Sequence, residues 1–155
     1  SAYLSNDMIQ SRHEIQALPE DTAKLSKGKS WTKLVAGPKG LLAPKSFDKV
    51  YTLKDVYEKD GQTYAKIEMT AQESAQTASG EGTSSMGPMA KIFDADEEYT
   101  GQMKVNLNSG EIKKYHEKIV ATYVAVDPPK AGEKTQEPDT LKMGYTEEIK
   151  LESLD

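Results

Sequence analysis

Alternating apolar and polar residues mark the clearest element of the chain, a β-hairpin predicted over residues 50–70. Segments 50–57 and 63–70 are rich in aromatic and β-branched residues and alternate in polarity, as half-buried strands do. Asp60-Gly61 lies between them and suits a tight turn in which both central residues take positive φ. The pattern predicts one buried and one solvated face. On the second strand the buried face would carry Ala65, Ile67, Met69 and Ala71.

The second half of the chain predicts a three-stranded meander over residues 99–151. Polarity alternates again from 99 to 107, and a turn signal at 108–110 precedes the long segment 112–126. That segment has apolar residues on both faces, which favours a central position in the sheet or a bulge that switches faces. The last strand has apolar residues at alternate positions up to Leu151, and we expect it to run antiparallel to 112–126.

The remaining segments predict one helix and several loops within a single domain spanning residues 1–155. Apolar residues recur at helical spacing over 5–17, and Pro19 ends that helix because it cannot donate a backbone hydrogen bond. Residues 72–90 lack alternation and are rich in Gly, Ser and Thr, which indicates a flexible loop. The predicted fold is mainly β (α+β): a curved antiparallel sheet of five or more strands, built from hairpins, with one short N-terminal helix.

Composition narrows the class of protein. The 155 residues carry 20 Lys+Arg against 25 Asp+Glu, a net charge of −5, which is opposite in sign to the surface that binds nucleic acid. No run approaches the ~18 apolar residues of a membrane helix, so we expect no transmembrane segment in this chain. There are no cysteines and 2 histidines, which leaves few ways to build a nucleophilic triad. We predict a domain that is not an enzyme, needs no cofactor and binds no nucleic acid.

The acidic run at residues 94–98 is the candidate metal site of the sequence. It offers four carboxylates but lacks the alternating ligands, central glycine and distal glutamate of an EF-hand loop. His116 lies beside Glu117, although a regular strand would turn these two side chains to opposite faces. We predict a solvated acidic turn and no metal. The weak candidate ligands are Asp94, Asp96, Glu97 and Glu98.

Aromatic residues form the second candidate site. The chain has 8 tyrosines and 1 tryptophan, and aromatic side chains on one side of a sheet can form a recognition surface. The candidate ligand-binding residues are Trp31, Tyr115, Tyr123 and Tyr145. The competing interpretation is that these side chains fill and border a β core.

Three segments together resemble a known class of sequences. They are Leu18-Pro19 with Lys27-Gly28-Lys29-Ser30-Trp31, the hairpin from Tyr51 to Ile67, and the stretch from Gly101 to Ile112. From about residue 18 to residue 151 the chain is similar to the C-terminal portion of uncharacterised exported bacterial proteins and lipoproteins, classed as a domain of unknown function. The resemblance implies a curved antiparallel sheet, no known enzymatic activity and a periplasmic or cell-surface location. It also allows a lipid anchor upstream of Ser1.

The sheet is the feature on which the functional hypotheses depend. The leading hypothesis is a non-catalytic exported envelope domain that binds a protein, a glycan or an apolar ligand through its sheet. The alternative is a lipid or lipoprotein carrier of half-barrel type, which a continuous apolar cavity would distinguish. A third is a calcium-dependent module or enzyme built on residues 94–98 and His116, which requires convergent carboxylates in one cleft.

Overall fold

Six antiparallel strands in one sheet form the regular structure of the computed structural model, which describes residues 26–79, 92–127 and 139–153. The strands follow chain order across the sheet, so the mainly β class and the antiparallel sheet are confirmed. The helix predicted at 5–17 lies outside the described residues. Within the described ranges, no helix is long and apolar enough to cross a membrane. The strands are β1 (Ser30–Ala36), β2 (Ser46–Lys59), β3 (Gln62–Glu73), β4 (Asp94–Asn106), β5 (Ile112–Asp127) and β6 (Asp139–Glu152).

The β2–β3 hairpin forms because its turn residues and the alternation of both strands agree. Asp60 has φ 53° and Gly61 φ 72°, the two positive values that a type I′ turn requires. Lys59 pairs with Gln62 across the turn. A register shift after Leu53 inserts one extra residue into β2, as a β-bulge does. Beyond the bulge, the odd-numbered residues of β2 lie on the face of the sheet that the even-numbered residues occupy before it.

Three segments differ from their sequence-based interpretation. Residues 94–98 belong to β4 and are not a turn, because their backbone pairs with residues 120–124 of β5. β1 is absent from the predicted strands, since its seven residues are too short a stretch to show clear alternation. β3 continues through Glu73, past the predicted start of the loop at residue 72. Residues 80–90 of that loop lie outside the described part of the chain.

The hydrophobic core lies on one face of the sheet, the inner face, where the odd-numbered residues are buried over 65–69 of β3, 99–105 of β4 and 115–123 of β5. Leu41, from the connection between β1 and β2, packs onto the same cluster. The opposite, outer face carries mostly polar residues with intermediate or full exposure. Burial on one side only is what the predicted alternation requires. The largest fully buried side chains are Phe47, Leu53, Ile67, Val105 and Ile119.

The sheet bends toward its inner face. Lys49 Nζ of β2 lies 2.7 Å from Glu117 Oε2 of β5, although three inter-strand steps of about 4.8 Å would separate these strands in a flat sheet. Side chains stand roughly perpendicular to a sheet, so the two groups meet because the strands curve toward each other.

The β1–β2 connection, residues 37–45, covers the inner face. Leu42 N donates a hydrogen bond to the Tyr123 hydroxyl of β5 at 3.4 Å. Gly40 packs against the ring of Tyr145 in β6, where a Cβ atom would clash. The core thus lies between the curved sheet and this connection, and among the described residues no segment packs over the outer face.

Candidate functional site

An open groove of about 490 Å³ crosses the outer face of the sheet. It runs across the strands, since all five strands from β2 to β6 contribute residues to it. Five lysines and two glutamates line it, which gives it a local net charge of +3 in a chain of net charge −5. We name this feature the outer groove. Its charged residues are Lys54, Lys66, Glu68, Lys104, Lys114, Lys150 and Glu152.

Three of these lysines stand at directly opposed positions on neighbouring strands. Lys66 of β3 is in register with Lys104 of β4, and Lys104 is in register with Lys114 of β5. Side chains at such positions have Cβ atoms about 5 Å apart, and like charges there are destabilising. These three residues are called the lysine row.

An acidic residue stands at each end of the lysine row. Asp55 of β2 is in register with Lys66, and Glu152 of β6 is in register with Lys114. The Glu152 carboxylate reaches its lysine, with Oε1 2.6 Å from Lys114 Nζ. Asp55 instead accepts a hydrogen bond from Lys27 at 3.5 Å. Across the sheet, the lysine row therefore ends at an acidic residue on each side.

Lys66 and Lys104 rest on tyrosine rings. Tyr57 and Tyr64 are cross-strand neighbours whose rings stack with centroids 5.7 Å apart. Lys104 Nζ lies 4.3 Å from the centroid of Tyr64, and Lys66 Nζ lies 6.0 Å from that of Tyr57. Within the described residues, neither lysine forms an ion pair with a carboxylate. Cation–π attraction therefore holds both ammonium groups without neutralising them.

A second polar row lies beside the lysine row. His116 Nε2 is 2.7 Å from Glu148 Oε1, and Lys150 Nζ is 3.0 Å from the same oxygen. Hydrogen bonds from Lys150, and secondly from His116, hold the pKa of Glu148 below its usual value. Gln102 adds an amide group to the groove wall. The second polar row thus places polar and charged groups next to the lysines. It consists of four residues in register on neighbouring strands: Glu68, Gln102, His116 and Lys150.

An ion pair lies buried in the core on the inner face. Lys49 Nζ is 2.7 Å from Glu117 Oε2, with 10% and 8% of the two side chains exposed. The hydroxyls of Tyr99 and Tyr115 donate short hydrogen bonds to the same carboxylate. Lys49 Nζ also lies 4.7 Å from the centroid of the Tyr99 ring. These four residues are called the buried ionic cluster.

Burial dominates the protonation of this cluster. Desolvation lowers the pKa of Lys49, although attraction by Glu117 opposes it. Desolvation, followed by the charge of Glu117, raises the pKa of both Tyr99 and Tyr51 well above that of a free tyrosine. A buried pair of this kind adds little net stability, but removal of one partner leaves an uncompensated charge. The buried ionic cluster is therefore a structural part of the core.

The weak metal candidates are divided between the two faces of β4. Asp94, Asp96 and Glu98 are exposed, whereas Glu97 is turned inward. Glu97 Oε2 lies 3.1 Å from Lys45 Nζ, so a cation already faces that carboxylate. In the part of the chain that the structure describes, no three His, Asp or Glu side chains converge as metal ligands.

The predicted ligand-binding aromatics lie on the inner face. Trp31 of β1 stacks on Tyr51 with ring centroids 5.8 Å apart. Tyr115 and Tyr123 are buried in the core, and Tyr145 packs against it. Tyr115 also borders the outer groove. The structure brings these residues together as part of the core, and a ligand-binding role for them stays a prediction.

Sequence reasoning missed the outer groove because its lysines are far apart along the chain. Each of the five comes from a different strand, and the register of neighbouring strands brings them together. One signal was available: Lys66, Lys104 and Lys114 stand on the polar side of their alternating segments. That signal says which face each lysine takes, but not which lysines are neighbours.

Comparisons with protein-family models, with curated proteins and with solved structures find no match to the chain. The function is therefore inferred from the chemistry of the described residues. Lys54, Lys114 and Lys150 are ion-paired, but the lining as a whole keeps a net positive charge. A groove with a net charge of one sign attracts ligands of the other sign, which makes the outer groove the candidate site.

Proposed function

We propose that the protein is a non-catalytic, exported binding domain that takes an anionic ligand in the outer groove. The observation that carries this proposal is the lysine row, in which Lys66, Lys104 and Lys114 oppose one another across three strands. Like charges at such positions lower the stability of a sheet. A bound anion replaces that repulsion with attraction, so the row favours the complex over the unbound chain.

The chemistry of the groove supports binding over catalysis. Its cationic groups are lysines, and the Glu152 carboxylate is already paired with Lys114 at 2.6 Å. His116 pairs with Glu148, and both side chains remain substantially solvated, with 43% and 39% exposure. A general acid or base is typically tuned by burial and by a specific charged neighbour. Solvated point charges are better suited to attracting and orienting an anion.

The packed inner face favours the outer groove over a half-barrel that carries lipid. An acyl chain would need a continuous apolar cavity on that face. Large side chains such as Phe47 and Ile119 are fully buried there, and Leu41 from the connecting segment belongs to the same core cluster. The resemblance to exported bacterial proteins and lipoproteins supports a location outside the cytoplasm.

Titration with small anions tests the proposal. Sulfate, citrate and pyrophosphate are titrated into the full chain by isothermal calorimetry at low ionic strength, because salt screens exposed charges. We expect at least one of these anions to bind the wild type. The double variant Lys66→Gln/Lys104→Gln should weaken that binding at least about tenfold, since each hydrogen bond to a charged group is worth roughly 1.5–3 kcal/mol.

A matched control distinguishes binding at the outer groove from binding caused by the net charge of the protein. Lys118 and Lys142 are exposed on the outer face and do not line the groove, so Lys118→Gln/Lys142→Gln makes the same change in net charge elsewhere. This variant should bind the anion as the wild type does. If both double variants lost affinity equally, overall charge would explain the binding and the proposed site would be wrong.

A further inference from the structure

We infer that the ligand of the outer groove is a compact molecule carrying two phosphoryl groups, an inference that rests on the proposed function. The first step is the amount of charge. The groove lining has a net charge of +3, and each phosphoryl group carries about −1.5 to −2 near neutral pH. Two such groups match the charge of the groove, whereas one leaves part of it uncompensated.

The second step concerns length. The lysine row spans two inter-strand steps, about 10 Å in total, and Asp55 and Glu152 stand at its two ends. Along β4, the outer face becomes acidic at Glu98 and Asp96. A long polyanion would meet carboxylates if it crossed the strands or if it followed β4 toward Asp96. The groove therefore fits a short ligand and repels an extended one.

The third step concerns the kind of anion. The described residues supply lysine and no arginine, since Arg12 is the one arginine of the chain. A guanidinium fork would bind carboxylate and phosphate alike in a bidentate manner, whereas the ammonium group of lysine acts as a point charge and is a common phosphate ligand. A phosphoryl group offers three strong acceptor oxygens, so two neighbouring lysines can share one group. Opposed lysines on adjacent strands provide that spacing.

The fourth step is preorganisation. Tyr57 and Tyr64 already hold the ammonium groups of Lys66 and Lys104 over their rings. Less side-chain entropy is lost on binding when such groups are held in place beforehand. The volume of about 490 Å³ lies within the range of roughly 300–1,000 Å³ found for small-ligand sites.

Pyrophosphate is the probe, because its two phosphoryl groups share a single bridging oxygen. It is titrated into the full chain by isothermal calorimetry near neutral pH and low salt, beside orthophosphate and citrate. We expect pyrophosphate to bind at least about tenfold more tightly than either. Lys66→Gln/Lys104→Gln should abolish this preference, and Lys118→Gln/Lys142→Gln should retain it.

The outcomes distinguish this inference from the proposed function. Citrate binding equal to or tighter than pyrophosphate binding, and lost in Lys66→Gln/Lys104→Gln, would overturn the phosphoryl assignment and leave the anionic groove standing. The absence of heat with all of the anions would overturn both. Equal loss in the two double variants would also overturn both, because binding would then follow overall charge.

A second arm identifies the source of the phosphoryl groups. Diphosphatidylglycerol carries two phosphodiester groups on one glycerol, so it presents two phosphoryl groups in a lipid headgroup, each with a single negative charge. Vesicles of phosphatidylcholine containing this lipid are sedimented with each variant. Sedimentation of the wild type but not of Lys66→Gln/Lys104→Gln would assign the groove to a lipid headgroup. Pyrophosphate binding without sedimentation would assign it to a soluble ligand.

Discussion

Glu117 is the residue on which the polar contacts of the core converge. It accepts hydrogen bonds from Lys49 and from the hydroxyls of Tyr99 and Tyr115. Glu117→Gln keeps the shape of the side chain but leaves the Lys49 charge buried without a counter-charge. We expect the free energy of unfolding, measured by urea denaturation at neutral pH, to fall by about 3–5 kcal/mol.

The double variant Lys49→Met/Glu117→Gln is the control for this prediction. It removes both charges and keeps similar volumes, so most of the stability lost in Glu117→Gln should return. A double variant as unstable as Glu117→Gln alone would contradict the explanation. The loss would then come from the altered tyrosine hydrogen bonds and not from the unpaired lysine.

Buried tyrosines make the protein sensitive to alkali. Burial raises the pKa of Tyr99 and Tyr51, whereas a tyrosine of the unfolded chain loses its proton near pH 10. Above that pH the folded chain binds more protons than the unfolded chain, so the free energy of unfolding falls as pH rises. Lys49, whose pKa burial lowers, has the opposite effect just below about pH 10.4.

Tyr99→Phe tests this pH dependence. The variant lacks one of the raised pKa values, so its free energy of unfolding should decline less steeply above about pH 10. Urea midpoints of both proteins, measured at intervals from neutral to strongly alkaline pH, give the two slopes. Parallel slopes would show that Tyr99 does not contribute to the alkaline loss of stability.

At the scale of elements, the Asp60-Gly61 turn fixes the β2–β3 hairpin. Gly61 has φ 72°, a conformation that disfavours a side chain by roughly 1–2 kcal/mol. Gly61→Ala should therefore lower the free energy of unfolding by about 1 kcal/mol, measured by urea denaturation. Gly144→Ala in β6 is the control, because its Cβ would meet only the Ala121 carbonyl oxygen, at 3.9 Å. Equal losses in both variants would contradict the role assigned to the turn.

Local signals predicted some elements of this sheet and missed others. The hairpin followed from alternation and an Asp-Gly turn, and both are properties of neighbouring residues. Residues 94–98 carry four carboxylates, which disfavour a strand locally. Their pairing with residues 120–124 of β5 makes them strand nevertheless. β1 likewise depends on its pairing with β2, which no pattern within its own seven residues reveals.

At the scale of the whole molecule, the two polar sites differ in how far the sequence could predict them. Lys49 and Glu117 occupy positions of the apolar face in alternating strands, and two opposite charges at buried positions indicate an ion pair. The outer groove gives no comparable signal. Its lysines become neighbours only when the registers of successive strand pairs are known, and register is a property of the assembled sheet.

Stability and binding oppose each other in the outer groove. Lys104 faces a lysine on either side, and each opposed like-charge pair is unfavourable by roughly 0.2–1 kcal/mol. Lys104→Glu would replace both repulsions with attractions. It would also remove the contacts of Lys104 with the rings of Tyr64 and Tyr57, each worth about 0.5–1 kcal/mol at an exposed site, and the Tyr57 contact is the longer of the two. We expect the two new attractions and the two lost repulsions together to exceed these two contacts.

We therefore expect Lys104→Glu to raise the free energy of unfolding by about 0.5–1 kcal/mol and to abolish pyrophosphate binding. Urea denaturation and calorimetry on the same preparation measure the two effects. Lys118→Glu is the control, because it makes the same charge change opposite Thr100 and Glu148, where it gains no attraction and faces a like charge, so it should not raise the free energy of unfolding. If Lys104→Glu were less stable than the wild type, the lysine row would not be strained; if it still bound pyrophosphate, the row would not be the site. A gain of stability coupled to a loss of binding is the combination expected when lysines are kept opposed for a ligand.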